Sequence, residues 1–336
     1  MPNQRNHHLS IPQAAIIFLF TDRHCFRTAA GAPIFDNDWT NLMMFPKALT
    51  LGAAALFLTL QGPAYSGGPE FDPAPLATVA KAIESRLNTR IGVAVFDPAS
   101  GLNWNYNGDD RFPMNSTMKA FACAALLERV DKKQSSLDQR TIITGDMIVS
   151  YSPVTENYIN TADMTLADHC EATVTISDNT SANIILDELG GPIGVTTYMR
   201  SIGDDVTRLD RNEPSLNEGT PGDPRDTTTP VAAAQSLYKV LFSDELSASS
   251  RKQLMQWLEA NKVGDATLRA GLPHDWRIGD KTGAGAYGSR GNIAIIWPPN
   301  HTPVALAVYV TENEAEFQAR NKAIAEIGAA FKASFE

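Results

Sequence analysis

Apolar residues recur at helical spacing in Pro75–Leu87, where Leu76, Val79, Ile83 and Leu87 share one face. Pro75 suits the first helical position, where its missing N–H costs nothing. Two strand-like runs follow, Ile91–Phe96 and Asn103–Tyr106, around the turn formers Asp97-Pro98-Ala99-Ser100-Gly101. From Ser116 to about Ala260 the pattern is mostly helical, with segments at Leu166–Thr175, Ser181–Leu189, Ile193–Ile202, Pro230–Phe242 and Ala248–Ala260. Strand-like runs return at Arg277–Thr282, Asn292–Trp297 and Val304–Val310, and Glu314–Phe335 closes as a helix. Strands at both ends bracketing a helical middle predict an α+β fold. The expectation is an antiparallel sheet flanked by helices, in an α/β/α arrangement of three layers, with an inserted all-α domain. Residues 67–112 plus 263–336 would form the discontinuous α/β domain, and residues 113–262 the helical one.

The N-terminus follows a different pattern. Lys47 precedes an apolar run, Ala48–Leu60, and small residues surround Ala64-Tyr65-Ser66. This is the layout of a signal peptide with its cleavage site. The apolar run is too short for a comfortable transmembrane helix. Met43 and Met44 sit just before it, so residues 43–66 are read as the signal peptide and residues 1–42 as extra leader upstream of the natural start. The expectation is a periplasmic or secreted protein without a stable membrane anchor.

Composition changes this picture little, except to exclude partners. The net charge of −10 and the absence of clustered Lys and Arg argue against nucleic acid. The six histidines, His7, His8, His24, His169, His274 and His301, have no ligand-like spacing, which argues against a zinc site. No phosphate-cradling glycine motif is present. No metal and no cofactor is implied.

The candidate chemistry starts at Ser116 and Lys119, one helical turn apart at the head of a run of helix formers. A serine becomes a nucleophile only when a neighbour can take its proton, and a helix N-terminus favours developing negative charge. Alone, such a pair is more often an N-cap serine and a surface lysine. Three later motifs change the weighing. They are Ser177-Asp178-Asn179, Glu213-Pro214-Ser215-Leu216-Asn217 in a Gly/Pro-rich loop, and Lys281-Thr282-Gly283 at the end of a strand-like run. S-x-x-K, S-D-N and K-T-G together are the signature of class A β-lactamases and penicillin-binding proteins. From about Phe71 to the C-terminus the chain resembles the class A serine β-lactamases. Tyr151-Ser152-Pro153-Val154-Thr155, Arg208-Leu209-Asp210-Arg211, Asp226-Thr227-Thr228 and Gly288-Ser289-Arg290-Gly291 carry the same resemblance.

The resemblance implies hydrolysis of the lactam amide of penicillins and some cephalosporins, and so resistance to these antibiotics. Ser116 is the nucleophile, and the backbone amides of Ser116 and Ala284 form the oxyanion hole. Either Lys119 or Glu213 takes the acylation proton. Ser177 relays a proton to the departing nitrogen. Glu213 and Asn217 hold the water that clears the acyl-enzyme. Asn179 donates to the substrate's side-chain carbonyl, Lys281, Thr282, Gly283 and Arg290 receive its carboxylate, and Tyr151 forms a cleft wall or stacks on the surface. Arg211 and Asp226 are the expected ion pair of the Glu213 loop. Cys123 and Cys170 match positions that form a disulfide in many members of the family; two buried free thiols are the alternative. Neither Asn115 nor Gly285 is cysteine, which removes a bridge found in some carbapenem-hydrolysing relatives and leans towards penicillins. A monomer is expected. Two rivals remain: a D,D-peptidase, which would lack the Glu213–Asn217 water site, and a sensor domain that stays acylated, which would also need an anchor.

Overall fold

Amphipathic periodicity becomes layered structure in the computed structural model, which describes residues 71–336. The expected leader and signal segment lie outside the described residues. In chain order the elements are α1 (Ala74–Leu87), β1 (Arg90–Asp97), β2 (Leu102–Tyr106), the short β3 (Phe112–Pro113), α2 (Met118–Asp131), α3 (Leu166–Thr175), α4 (Asn179–Glu188) and α5 (Pro192–Ser201). They continue with the short β4 (Thr227–Thr228), α6 (Pro230–Phe242), α7 (Ala248–Glu259), α8 (Leu268–Gly271), β5 (Arg277–Ala284), β6 (Arg290–Trp297), β7 (Val304–Thr311) and α9 (Phe317–Ala333). The long sheet is antiparallel, in the order β2-β1-β7-β6-β5. The expected α+β arrangement is present.

Both faces of the sheet are covered, so its alternation separates two cores rather than core from solvent. On β7, Val304, Leu306, Val308 and Val310 join Ile83 of α1 and Ile324, Ile327 and Phe331 of α9. Ala305, Ala307 and Tyr309 face the other way, into a core shared with Phe121 and Leu126 of α2 and Leu237 of α6. The second core runs on into the helical part of the chain, where α2 is buried over most of its length. A helix apolar on every side belongs in an interior, and this one carries the Ser116-x-x-Lys119 motif at its head.

Cys123 on α2 and Cys170 on α3 are joined by a disulfide, with their Cα atoms 5.7 Å apart. Closing that loop is worth about 4 kcal/mol in the chain-entropy account. Nearby, His169 is fully buried and its Nδ1 lies 3.0 Å from Ser181 Oγ. Burial pulls the imidazole down from its ordinary value of 6.5 to about 4. The unfolded chain therefore binds the proton first as pH falls. The folded state keeps its full advantage above pH 6.5 and loses it progressively towards about 4, by on the order of 3 kcal/mol. Urea unfolding of His169→Gln should show a smaller loss of stability between about pH 7 and about pH 4.5 than the unaltered protein. Equal losses would place the acid sensitivity elsewhere.

Candidate active site

The S-x-x-K motif enters α2 through a 3-10 turn, Asn115–Thr117, so Ser116 sits before the α-helix proper rather than in its first turn. Asn115 holds a left-handed backbone with φ of 47°. Such a conformation is uncommon outside glycine, and clusters where function constrains the chain. Ser177 does the same, with φ of 69°. Gly283 lets β5 come close: a Cβ there would stand 3.0 Å from the Ser116 amide nitrogen and 2.7 Å from the Met114 carbonyl.

Three elements place polar groups around Lys119, which is fully buried. Its Nζ lies 3.0 Å from Glu213 Oε1. It also donates to the Ser177 carbonyl at 2.8 Å, to Ser177 Oγ at 3.3 Å and to Asn179 Oδ1 at 2.6 Å. Burial pushes the ammonium below its ordinary range, against the pull of the Glu213 charge. Ser116 Oγ lies 3.5 Å from the same Glu213 oxygen. One carboxylate oxygen thus faces both the hydroxyl and the ammonium.

Glu213 is held at backbone and side chain alike. The Asn183 amide accepts from the Glu213 N–H at 2.8 Å and donates to its carbonyl at 2.9 Å. Asn217 Nδ2 donates to Glu213 Oε2. The loop is closed by the expected pair: Arg211 Nε donates to Asp226 Oδ2, while the backbone N–H groups of Asp210 and Arg211 donate to Asp226 Oδ1. Asp226 is 1% exposed, so this is a buried, hydrogen-bonded staple rather than a solvated surface pair. Asp178 caps α4 through the Ser181 N–H and accepts from Val154 N and Thr155 N, fixing the S-D-N turn against the Tyr151 segment.

On the opposite side Lys281 Nζ donates to Ser177 Oγ at 3.2 Å and to the Thr282 carbonyl at 2.9 Å. Burial and the nearby Lys119 charge press its ammonium well below the usual lysine range. Arg290 is 5% exposed, donating to Asn321 Oδ1 at 2.8 Å and to the Gly283 carbonyl at 2.9 Å. Burial, then the Arg320 charge, lowers it to about 10. Among the described residues no carboxylate lies within 4.0 Å of Arg290. A buried cation without a counterion is costly, and an anionic ligand relieves the cost.

Ser116, Tyr151, Ser177, Asn179, Asn217, Thr282, Gly283, Ala284 and Arg290 line one cleft of about 550 Å³. Lys119, Glu213 and Lys281 lie buried behind its surface. Tyr151 is 57% exposed and stands at the wall. The same cleft includes Val263, Ala266, Phe317 and Asn321, which sequence reasoning missed, as it missed Asn183. None of these belongs to a chemical motif. The one faint signal for Asn183 is its position one helical turn past Asn179.

Residues 75–335 match the model of the Beta-lactamase enzyme family. The β-lactamase AER-1 of Aeromonas hydrophila is 53% identical over 78% of this chain and 86% of its own length. The β-lactamase PSE-4 of Pseudomonas aeruginosa is 47% identical over 74% of this chain and 86% of its own. Among solved structures, the class A β-lactamase of the last common ancestor of Gram-negative bacteria is 52% identical, with a TM-score of 0.76 over 78% of this chain and all of that one. The chromosome-encoded β-lactamase of Vibrio parahaemolyticus is 44% identical, with a TM-score of 0.73 over 76% of this chain and 96% of its own.

Proposed function

Given that this chain belongs to the class A serine β-lactamases and hydrolyses β-lactam antibiotics through a serine, conferring resistance, we propose how its residues divide the work. The supporting observation is the placing of Glu213 Oε1, 3.0 Å from Lys119 Nζ and 3.5 Å from Ser116 Oγ. Lys119 and Glu213 are a buried ion pair within reach of the Ser116 hydroxyl. The pair takes the Ser116 proton as the hydroxyl attacks the lactam carbonyl. The amides of Ser116 and Ala284 receive the oxyanion. Ser177, between Lys119 and Lys281, passes a proton to the nitrogen as the ring opens. Glu213 and Asn217 then hold a water between them, and Glu213 takes its proton as the water attacks the acyl carbon and the ester bond to Ser116 breaks, the proton returning to Ser116 Oγ.

Arg290, Lys281 and Thr282 receive the substrate carboxylate, with Gly283 as the bare edge beside it. Asn179 and Asn217 face the acyl side chain and Tyr151 covers it. The spectrum leans to penicillins. The test is steady-state hydrolysis of a penicillin, an oxyimino-cephalosporin and a carbapenem, with Arg290→Ala alongside. The penicillin should have the highest kcat/KM. Arg290→Ala should raise KM by about tenfold with a smaller change in kcat, the mark of lost uniform binding. An unchanged penicillin KM would leave Arg290 a structural residue only.

The enzyme acts as an exported monomer, free of residues 1–66. The apolar run and small-residue site at 48–66 support this reading, and no helix among the described residues is long and apolar enough to cross a membrane. Intact mass of the active periplasmic protein should place the N-terminus near Gly67. A full-length mass in active material would overturn the export reading.

A further inference from the structure

Asn115 puts a polar side chain at a buried position. It is fully buried between the apolar Met114 and the nucleophile, and nothing assigned so far uses its side chain. Its Nδ2 donates to Ser289 Oγ at 3.0 Å, across 174 residues of chain. Its Oδ1 has no hydrogen-bond partner among the described residues. A buried amide that is half satisfied is costly, and such a cost persists where position matters more than stability.

Ser289 is 1% exposed and closes the β5–β6 hairpin, its N–H donating to Ala286 O at 3.0 Å and its carbonyl accepting from Gly285 N at 3.2 Å. Its neighbour Arg290 pairs with Ala284 across the two strands. The Asn115–Ser289 bond therefore runs from the residue before one oxyanion donor to the turn that carries the other. Around that bond the hairpin strand comes close only because glycines leave room. A Cβ on Gly285 would stand 2.3 Å from Asn115 Oδ1, and one on Gly283 would stand 3.0 Å from Ser116 N. The hairpin turn is tied to Asn217 and Asn313 through the Ala286 N–H and the Tyr287 and Gly288 carbonyls, but those bonds do not set its distance from the Ser116 segment. The Asn115–Ser289 bond does, at 3.0 Å.

We infer that Asn115 and Ser289 are positioning residues that clamp the two walls of the oxyanion hole at fixed spacing. The inference rests on the reading of Ser116 and Ala284 as its donors. Donors act at full strength only when preorganised where the oxyanion develops, and functional groups need support to within about 0.5 Å. Loosening the clamp weakens the transition state more than the bound substrate.

Phenylboronic acid is the probe, because its adduct with Ser116 places an oxygen where the oxyanion forms. Asn115→Ala and Ser289→Ala should each lower kcat for a penicillin and weaken the boronate by about tenfold, a fraction of what deleting a donor costs, with KM within about twofold. The double variant should be no worse than either single one, because both remove the same bond. Ser289→Thr, which keeps the hydroxyl, should restore both quantities. Melting temperatures show whether the variants fold. Lowered melting temperatures with unchanged kcat and boronate affinity would overturn the clamp and leave a packing role. So would an additive double variant, or failure of Ser289→Thr to rescue. If the unaltered enzyme forms no boronate adduct at Ser116, the oxyanion-hole reading itself fails, which separates the two failures.

Discussion

Glu213→Ala is expected to accumulate a penicilloyl adduct on Ser116 while steady-state hydrolysis falls by at least 10²–10⁴, the usual worth of general-base help. An acyl-enzyme on serine is a stable ester, so turnover depends on activating a water against it. Glu213 is the carboxylate placed to do so. Its Oε1 looks towards Ser116 Oγ and Lys119 Nζ, while its Oε2 accepts from Asn217. Removing it leaves Ser116 and Lys119 in place, so some acylation continues while deacylation stops. Mass spectrometry after brief exposure to a penicillin, beside a turnover assay, reads both steps. Rapid turnover without an adduct would assign the water to another residue.

Lys119→Met should instead fail at the first step. The methionine keeps the unbranched shape of the side chain, one atom shorter, and removes its charge. Acylation should fall by roughly 10²–10⁴, and no adduct should build up, because Glu213 and Asn217 still clear what forms. The substitution also leaves Glu213, 3% exposed, without its cation. Breaking a buried pair this way costs about 3–5 kcal/mol, so the midpoint of denaturant unfolding should drop too. Ser177 and Asn179 lose their ammonium donor as well, at 3.3 and 2.6 Å. Stopped-flow acylation and urea unfolding test the two parts separately. Normal acylation with an adduct that persists would move Lys119 from the first step to the second.

Much of the fold was legible because each element carries its own signal. The amphipathic stripe at Pro75–Leu87 became α1, Ala74–Leu87, and the run Ala248–Ala260 became α7, Ala248–Glu259. Strand ends were read short. Arg277–Thr282 grew to Ala284 and Asn292–Trp297 began at Arg290, because Gly283, Ala284 and Gly291 carry weak strand propensity and are held by pairing across the hairpin. The closing helix starts at Phe317 rather than Glu314, since Glu316 with ψ of 151° keeps an extended backbone before it. The mostly helical reading of the middle had the Gly/Pro-rich loop around Glu213, closed by Arg211 and Asp226, but not the extent of the loop at 132–165, whose form comes from hydrogen bonds such as those that Val154 and Thr155 make to Asp178.

By itself the sequence determined the element types, the signature motifs and the candidate chemistry, because periodicity and residue type act locally along the chain. It could not determine which face of β7 meets which helices, since a strand buried on both faces shows no polar alternation. Nor could it place Asn183, Phe317 and Asn321 at the site, or make Asn115 reach Ser289, because no local rule joins residues so far apart. Tertiary packing alone decided that Lys119, Glu213 and Lys281 would all be buried in one place. Burial there sets Glu213 Oε1 at 3.0 Å from Lys119 Nζ and 3.5 Å from Ser116 Oγ, and in a low-dielectric interior such close charges and hydroxyls act on one another more strongly than in solvent.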